Sequence, residues 1–246
     1  MNKISIEVCV DNIESLDNAI KAGADRIELC SALLLGGLTP TYGLTSIAVN
    51  SHTPIYAMIR PRSGDFLYSN REIDMMCDEI QFFKEIGING IVIGALTSDA
   101  QIDTRAVTKF VNTADNMGVT FHRAFDLVQD PFKSLETLID LGCERVLTSG
   151  GADTAVNGIE CIKALVQQSA HRITVMPGCG INNDNAMLII NDTDATELHL
   201  SGKKSKTSKM VSFSNASMGT NSINDNFIDV TDFQLIKKIV TQFNER

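Results

Sequence analysis

Two Glu-x-Cys pairs, Glu7-Val8-Cys9 and Glu28-Leu29-Cys30, carry the sharpest chemical signal in the sequence. Residues two apart on an extended strand share a face, so each carboxylate points the same way as its thiol. Neighbouring strands lie about 4.8 Å apart. Two thiols at equal heights on such strands can share a soft ion, Cu(I) or Zn(II). The candidate metal ligands are Cys9, Cys30 and His199, the last because ring closure would set the final strand beside the first. Cysteines also pack as small apolar groups, and two inward thiols need bind nothing. A second set, Glu7, Glu28, Arg60, His122 and Asp126, holds acid, base and cationic groups. Here Glu7 or Glu28 and His122 would move protons, Asp126 would orient His122, and Arg60 would hold an anionic substrate. Three glycine-containing turns form the third feature: Ser149-Gly150-Gly151, Pro177-Gly178-Cys179-Gly180 and Ser201-Gly202-Lys203-Lys204. Backbone N–H groups in such turns bind anions, with Ser149, Gly150, Gly151, Gly178, Gly180, Ser201 and Lys203 as candidates and Asn182 or Asn183 capping the next helix.

Bringing these groups to one place requires a particular set of elements. Strand-like runs fall at 4–10, 25–30, 54–60, 90–94, 119–122, 145–149, 173–176 and 196–201. Between them, apolar residues recur at helical spacing, as in Ile73, Met76, Cys77, Ile80 and Phe83 or Val107, Phe110, Val111 and Ala114. Weaker helical segments lie at about 41–50 and 183–191. Gly23, Gly87, Gly118 and Gly142 each stand just before a strand, where a left-handed helix cap would use glycine. Eight βα units in one chain of this length predict a single-domain α/β fold, the (β/α)8 or TIM barrel, over residues 1–246. A long polar loop is expected at about 202–230. The rival, a doubly wound sheet with a nucleotide cofactor, lacks its usual glycine-rich first turn, since 10–15 contain no glycine.

The barrel reading assigns directions. Aliphatic residues of one parity (Ile6 and Val8, Ile27 and Leu29, Leu198 and Leu200) suit the helix layer. The opposite parity must face the axis: Glu7, Cys9, Glu28, Cys30, Arg60, His122, Glu197, His199 and Ser201. A structural network of paired charges is the plainer account of such a set. No predicted strand carries an inward lysine, which disfavours Schiff-base chemistry.

Composition narrows the partners. Lys and Arg total 21 against 30 Asp and Glu, a net charge of −9 that disfavours nucleic acid and a membrane surface. The longest apolar run, 31–38, is broken by Gly36 and Gly37 and falls well short of a spanning helix. The first residues lead directly into a strand pattern, so no signal peptide is expected, and six sparse cysteines read as reduced thiols.

Several stretches resemble the CutC family of copper homeostasis proteins: IEVCV (6–10), AGADRIELC (22–30), GGLTPTYG (36–43), MIRPRSGDFLYS (58–69), TFHRAFD (120–126), LTSGG (147–151) and GCGIN (178–182). They run in chain order without large gaps. The resemblance implies a cytoplasmic barrel, a homo-oligomer (dimer or tetramer), linked to copper handling, with Cys9 and Cys30 on the positions proposed to hold Cu(I). It brings no settled reaction. The tail departs from the pattern, reading Phe213-Ser214-Asn215-Ala216-Ser217-Met218 where an Arg-Asn pair is expected ahead of Ser-Met. Two functions stand side by side: copper homeostasis through barrel thiolates, and a lyase-, isomerase- or hydrolase-like barrel enzyme acting on a small anionic or phosphorylated metabolite.

Overall fold

Strand and helix alternate throughout the computed structural model, which describes residues 3–212 and 224–244. In chain order the barrel elements are β1 (Ser5–Val10), α1 (Ile13–Ala22), β2 (Arg26–Leu29), α2 (Tyr42–Ala48), β3 (Ile55–Met58), α3 (Asn70–Glu85), β4 (Gly90–Ile93) and α4 (Thr104–Ala114). They continue with β5 (Gly118–Phe121), α5 (Pro131–Asp140), β6 (Arg145–Thr148), α6 (Ile159–Ser169), β7 (Thr174–Pro177), α7 (Ala186–Thr193) and β8 (Glu197–Leu200). All pairings among these strands are parallel, in the order β7-β6-β5-β4-β3-β2-β1-β8, and β7 and β8 lie side by side. The fold is the (β/α)8 barrel.

The parity of each strand decides its packing. Ile6, Val8, Ile27, Leu29, Ile55, Ala57, Ile91 and Val119 join one core with the helix faces. Residues of the other parity, Cys30, Met58 and Val92, form a separate apolar group inside the ring, flanked by Leu33 and Tyr56. Local signals start the helices. The Asn12 side chain accepts the Ser15 N–H at α1, and a reciprocal Ser69–Glu72 capping box opens α3.

Three local expectations are corrected. Gly23, Gly87 and Gly142 have φ of +92°, +87° and +83°, as their caps require, whereas Gly118 does not; Asp115 (φ +56°) follows α4 instead. Gly118 is a packing glycine, because a Cβ there would lie 2.2 Å from Tyr56 Oη and 2.4 Å from Glu144 Oε1. The segment expected as a loop at 202–230 carries an antiparallel pair, β9 (Lys203–Thr207) and β10 (Phe227–Thr231), before α8 (Phe233–Asn244). Its strands lack apolar alternation and are held by Lys203–Asp229 at 2.7 Å and by the Thr231 N–H donating to Ser15 Oγ on α1. Helix α7 begins at Ala186 behind Asn185, and Asn182 instead accepts the Asp184 N–H within the preceding turn. The departing stretch Phe213–Met218 lies outside the described residues. Among those residues no helix is long and apolar enough to cross a membrane.

Candidate functional site

The lumen is built in tiers. At the N-terminal end, Arg26 opens β2, Arg145 opens β6 and Glu197 opens β8. Arg26 Nε donates to Glu7 and its Nη2 to Glu197 Oε2 at 2.5 Å. Arg145 bonds both Glu197 oxygens (2.6 and 3.1 Å), Thr120 Oγ1 and Glu144 Oε1. Tyr56 lies under both guanidinium groups at 5.2 and 5.5 Å and donates to Glu144. Each buried charge here has opposite charges around it, which is what burial demands. Neither Arg26 nor Arg145 was among the expected inward groups.

One tier higher, Glu7 is fully buried and turns its second oxygen to His199, with Oε1 2.7 Å from Nδ1. The other ring nitrogen, Nε2, lies 3.9 Å from Glu28 Oε2. Ligand-capable atoms of Cys9, Glu28 and His199 all fall within 4.8 Å of one another, and all three residues are buried. Register explains this grouping: Cys9 pairs with Glu28 across β1 and β2, and Glu7 pairs with His199 across β1 and β8. The expected equal height of the two thiols is therefore corrected. Cys30 lies two residues beyond Glu28, about 6.6 Å along the strand direction, and its Sγ contacts Glu28 Oε2 at 3.5 Å.

Charges in this tier are strongly perturbed. Burial opposes ionisation of Glu7, but Arg26, the His199 bond and Arg145 outweigh it and hold the carboxyl well below its usual range. Burial raises Glu28, Cys9 and Cys30, the last also through the Glu28 carboxylate. Burial likewise opposes charge on His199, yet the Cys9 sulfur, Glu28 and Glu7 prevail and raise it well above an ordinary histidine.

Above this tier opens a cavity of about 620 Å³, lined by Cys9, Glu28, Met58, Arg60, Phe66, His122 and His199 among others. Arg60 donates through Nη1 to the Leu35 and Gly37 carbonyls and through Nη2 to the Gly64 carbonyl. His122 accepts the Ala124 N–H at Nδ1, 3.1 Å away. Burial, reinforced by Arg60, pushes its pKa down to about 3, so the ring is neutral. A neutral imidazole accepting at Nδ1 carries its hydrogen on Nε2. Glycine at position 94 makes room for it, since a Cβ there would lie 2.2 Å from His122 Cε1. Buried and without partners are Glu28 Oε1, Arg60 Nε, His122 Nε2 and the Tyr68 hydroxyl, which sits close to Arg60.

Asp126 does not orient His122. It accepts Thr148 Oγ1 at 2.5 Å, Ser149 N and Oγ, and Gly151 N, and it pairs with Arg123 at 2.8 Å. The turn at Ser149, Gly150 and Gly151, expected to hold a ligand anion, thus holds a carboxylate of the protein itself. Gly180, Ser201 and Lys203 line the cavity, with Lys203 paired to Asp229. Gly178 packs beneath it, where a Cβ would lie 2.5 Å from Leu147 Cδ1.

The CutC family model matches residues 4–204. The chain belongs to the CutC family. A family protein CutC of Pasteurella multocida (strain Pm70) is 53% identical over 239 residues, covering 97% of this chain and 98% of the relative. Another, from Vibrio campbellii (strain ATCC BAA-1116), is 50% identical over 243 residues, covering 97% and 98%. A solved CutC structure from Streptococcus agalactiae, proposed to be a copper homeostasis protein, superposes with a TM-score of 0.76 at 34% identity, over 80% of this chain and 97% of that one. An aldolase called QR15 shares the fold alone, at 11% identity and a TM-score of 0.61, over 80% of this chain and 89% of that one. The CutC match takes in every lumen residue described above and ends inside β9, before β10 and α8. Within this CutC-family lumen the residues missed from sequence are Arg145, Phe66 and Gly94, while Arg26 and Tyr56 have the inward parity but no role assigned from sequence. Arg26 shares the parity of Glu28 and Cys30, and Gly94 directly follows the β-branched run Ile91-Val92-Ile93; those were the available signals.

Proposed function

We propose that this barrel handles copper, taking Cu(I) as cargo between Cys9 and His199. The Glu7 carboxylate behind the imidazole carries this reading. A histidine that binds metal characteristically directs its other nitrogen to a carboxylate, which fixes the ring and strengthens the ligand. Glu7 Oε1 lies 2.7 Å from His199 Nδ1 and so leaves Nε2 facing Cys9 and Glu28. A thiolate and an imidazole suit a soft monovalent ion, and thiolate plus Cu(I) adds no net charge to a buried tier. Cys30, two residues beyond Glu28 on β2, is a second buried thiol close by, its Sγ 3.5 Å from Glu28 Oε2. The family's link to copper, drawn from the Streptococcus agalactiae relative, agrees with this donor set. Anaerobic titration against a colorimetric Cu(I) chelator tests it. One tightly held equivalent is expected, weakened at least tenfold in Cys9→Ser and in His199→Asn; unchanged uptake in both variants removes the reading.

One observation favours a second reading, a lyase-, isomerase- or hydrolase-type enzyme acting on a small anion. An ion fills little of a cavity of about 620 Å³ whose walls hold unpartnered polar atoms. Glu28, its carboxyl raised by burial, would then be the acid, and Arg60 with neutral His122 would hold the substrate. A saturable rise in Tm with a small organic anion is the expected first sign, and a broad screen without any shift removes this reading.

A further inference from the structure

Two buried N–H donors on one wall of the mouth cavity have nothing to donate to. Arg60 commits both terminal nitrogens to backbone carbonyls and leaves Nε–H buried without a bonded acceptor, the Tyr68 hydroxyl lying close to the guanidinium. His122 uses Nδ1 to accept from Ala124 and keeps Nε2–H free. Both pack on Phe66, the guanidinium carbon 5.0 Å and the imidazole centre 4.9 Å from its ring centre. Arg60 is 6% exposed, and no carboxylate lies within ion-pair distance of it among the described residues. Leaving such donors buried and unpaired is unfavourable by about 1–3 kcal/mol for a neutral group and more for a charged one. A cationic wall with two open donors fits an anionic partner with two oxygens.

The remaining wall and the turns around it narrow the class. In the same lining, Glu28 Oε1 is also unpartnered, beside Cys9 and His199. Leu35, Met58, Phe66 and Leu147 add apolar surface to the lining. The turn after β6 does not offer itself to phosphate, since the N–H groups of Ser149 and Gly151 are directed to Asp126, and Lys203 is paired with Asp229. Two side-chain donors suit the two oxygens of a carboxylate better than the three of a phosphate monoester.

We propose that the mouth cavity binds a short hydroxy- or oxo-carboxylic acid, its carboxylate on Arg60 Nε and His122 Nε2 and its second oxygen toward Glu28. The proposal deepens the second reading above and rests on it.

The test is calorimetric titration of the full chain with lactate, pyruvate and 4-hydroxybutyrate, alongside inorganic phosphate and sulfate. At least one carboxylate should bind saturably, and at least tenfold more weakly in Arg60→Lys and His122→Asn. The first variant keeps the charge without the Nε–H. The second keeps an acceptor for the Ala124 N–H without the outer donor, so it decides the matter if the first fails to fold. Carboxylate binding that His122→Asn leaves intact overturns the assignment. Preference for phosphate or sulfate overturns the carboxylate class while the anion reading survives. Binding of no probe overturns both.

Discussion

The two ends of the barrel lumen use the same residue types to opposite effect. At the N-terminal end Arg26, Arg145, Glu7, Glu197 and Glu144 saturate one another. At the mouth Arg60, His122 and Glu28 each keep a buried polar atom unpaired. Apart from the exposed Glu144, the burial is similar, so the contrast lies in completeness of pairing. A closed network holds the ring together, whereas open valences describe a surface shaped for something else.

Breaking the closed end should cost most. Arg26→Met leaves Glu7 buried beside a lost cation, and urea unfolding at pH 7 should show a loss of about 3–5 kcal/mol. A next, smaller effect belongs to the mouth and depends on pH. His122 has a folded pKa of about 3 against about 6.5 unfolded, so below pH 6.5 the unfolded chain takes up a proton that the folded chain does not. Stability from this group is complete above pH 6.5 and falls as pH drops toward 3, by up to about 1.4 kcal/mol per unit. Denaturation of His122→Asn between pH 4.5 and 6 should show a slope flatter by about that amount. Glu7 has the ordinary carboxylate sign: its contribution is present above pH ~4.3 and is lost in stronger acid. The smallest effect is expected for Glu28→Gln, which keeps size and polarity where one oxygen already lacks a partner. A change under about 1 kcal/mol sharpens the comparison; a loss equal to that of Arg26→Met erases it.

What the sequence could reveal was whatever a single strand decides alone. Alternation places Glu7, Cys9, Glu28, Cys30, His122 and His199 in the lumen because side-chain direction has period two along each strand. Height is different, since it depends on the stagger between strands, a property of ring closure. That is why Cys9 meets Glu28 and not Cys30. Arg145 reads locally as a charge at a strand entrance and acquires its role only when Glu197, 52 residues on, is brought against it. Asp126 stands four residues after His122, a helical spacing that suggests contact. The chain there is a 3-10 turn, Arg123–Leu127, with three residues per turn, and this carries the carboxylate toward Ser149. The polar strands β9 and β10 gave no alternation to read because a backbone ladder and the Lys203–Asp229 pair, with only Val230 and Thr231 buried, join them.

The carboxylate of Asp126 gives the turn after β6 an anion of its own, covalently supplied and held by Ser149, Gly151, Thr148 and Arg123. An incoming phosphoryl group would have to evict that resident plug. Trimming it, as in Asp126→Ala, would free the same donors without rerouting the backbone. The barrel therefore stands one side chain away from a turn with open N–H donors, and that one carboxylate, not the backbone, keeps the turn filled.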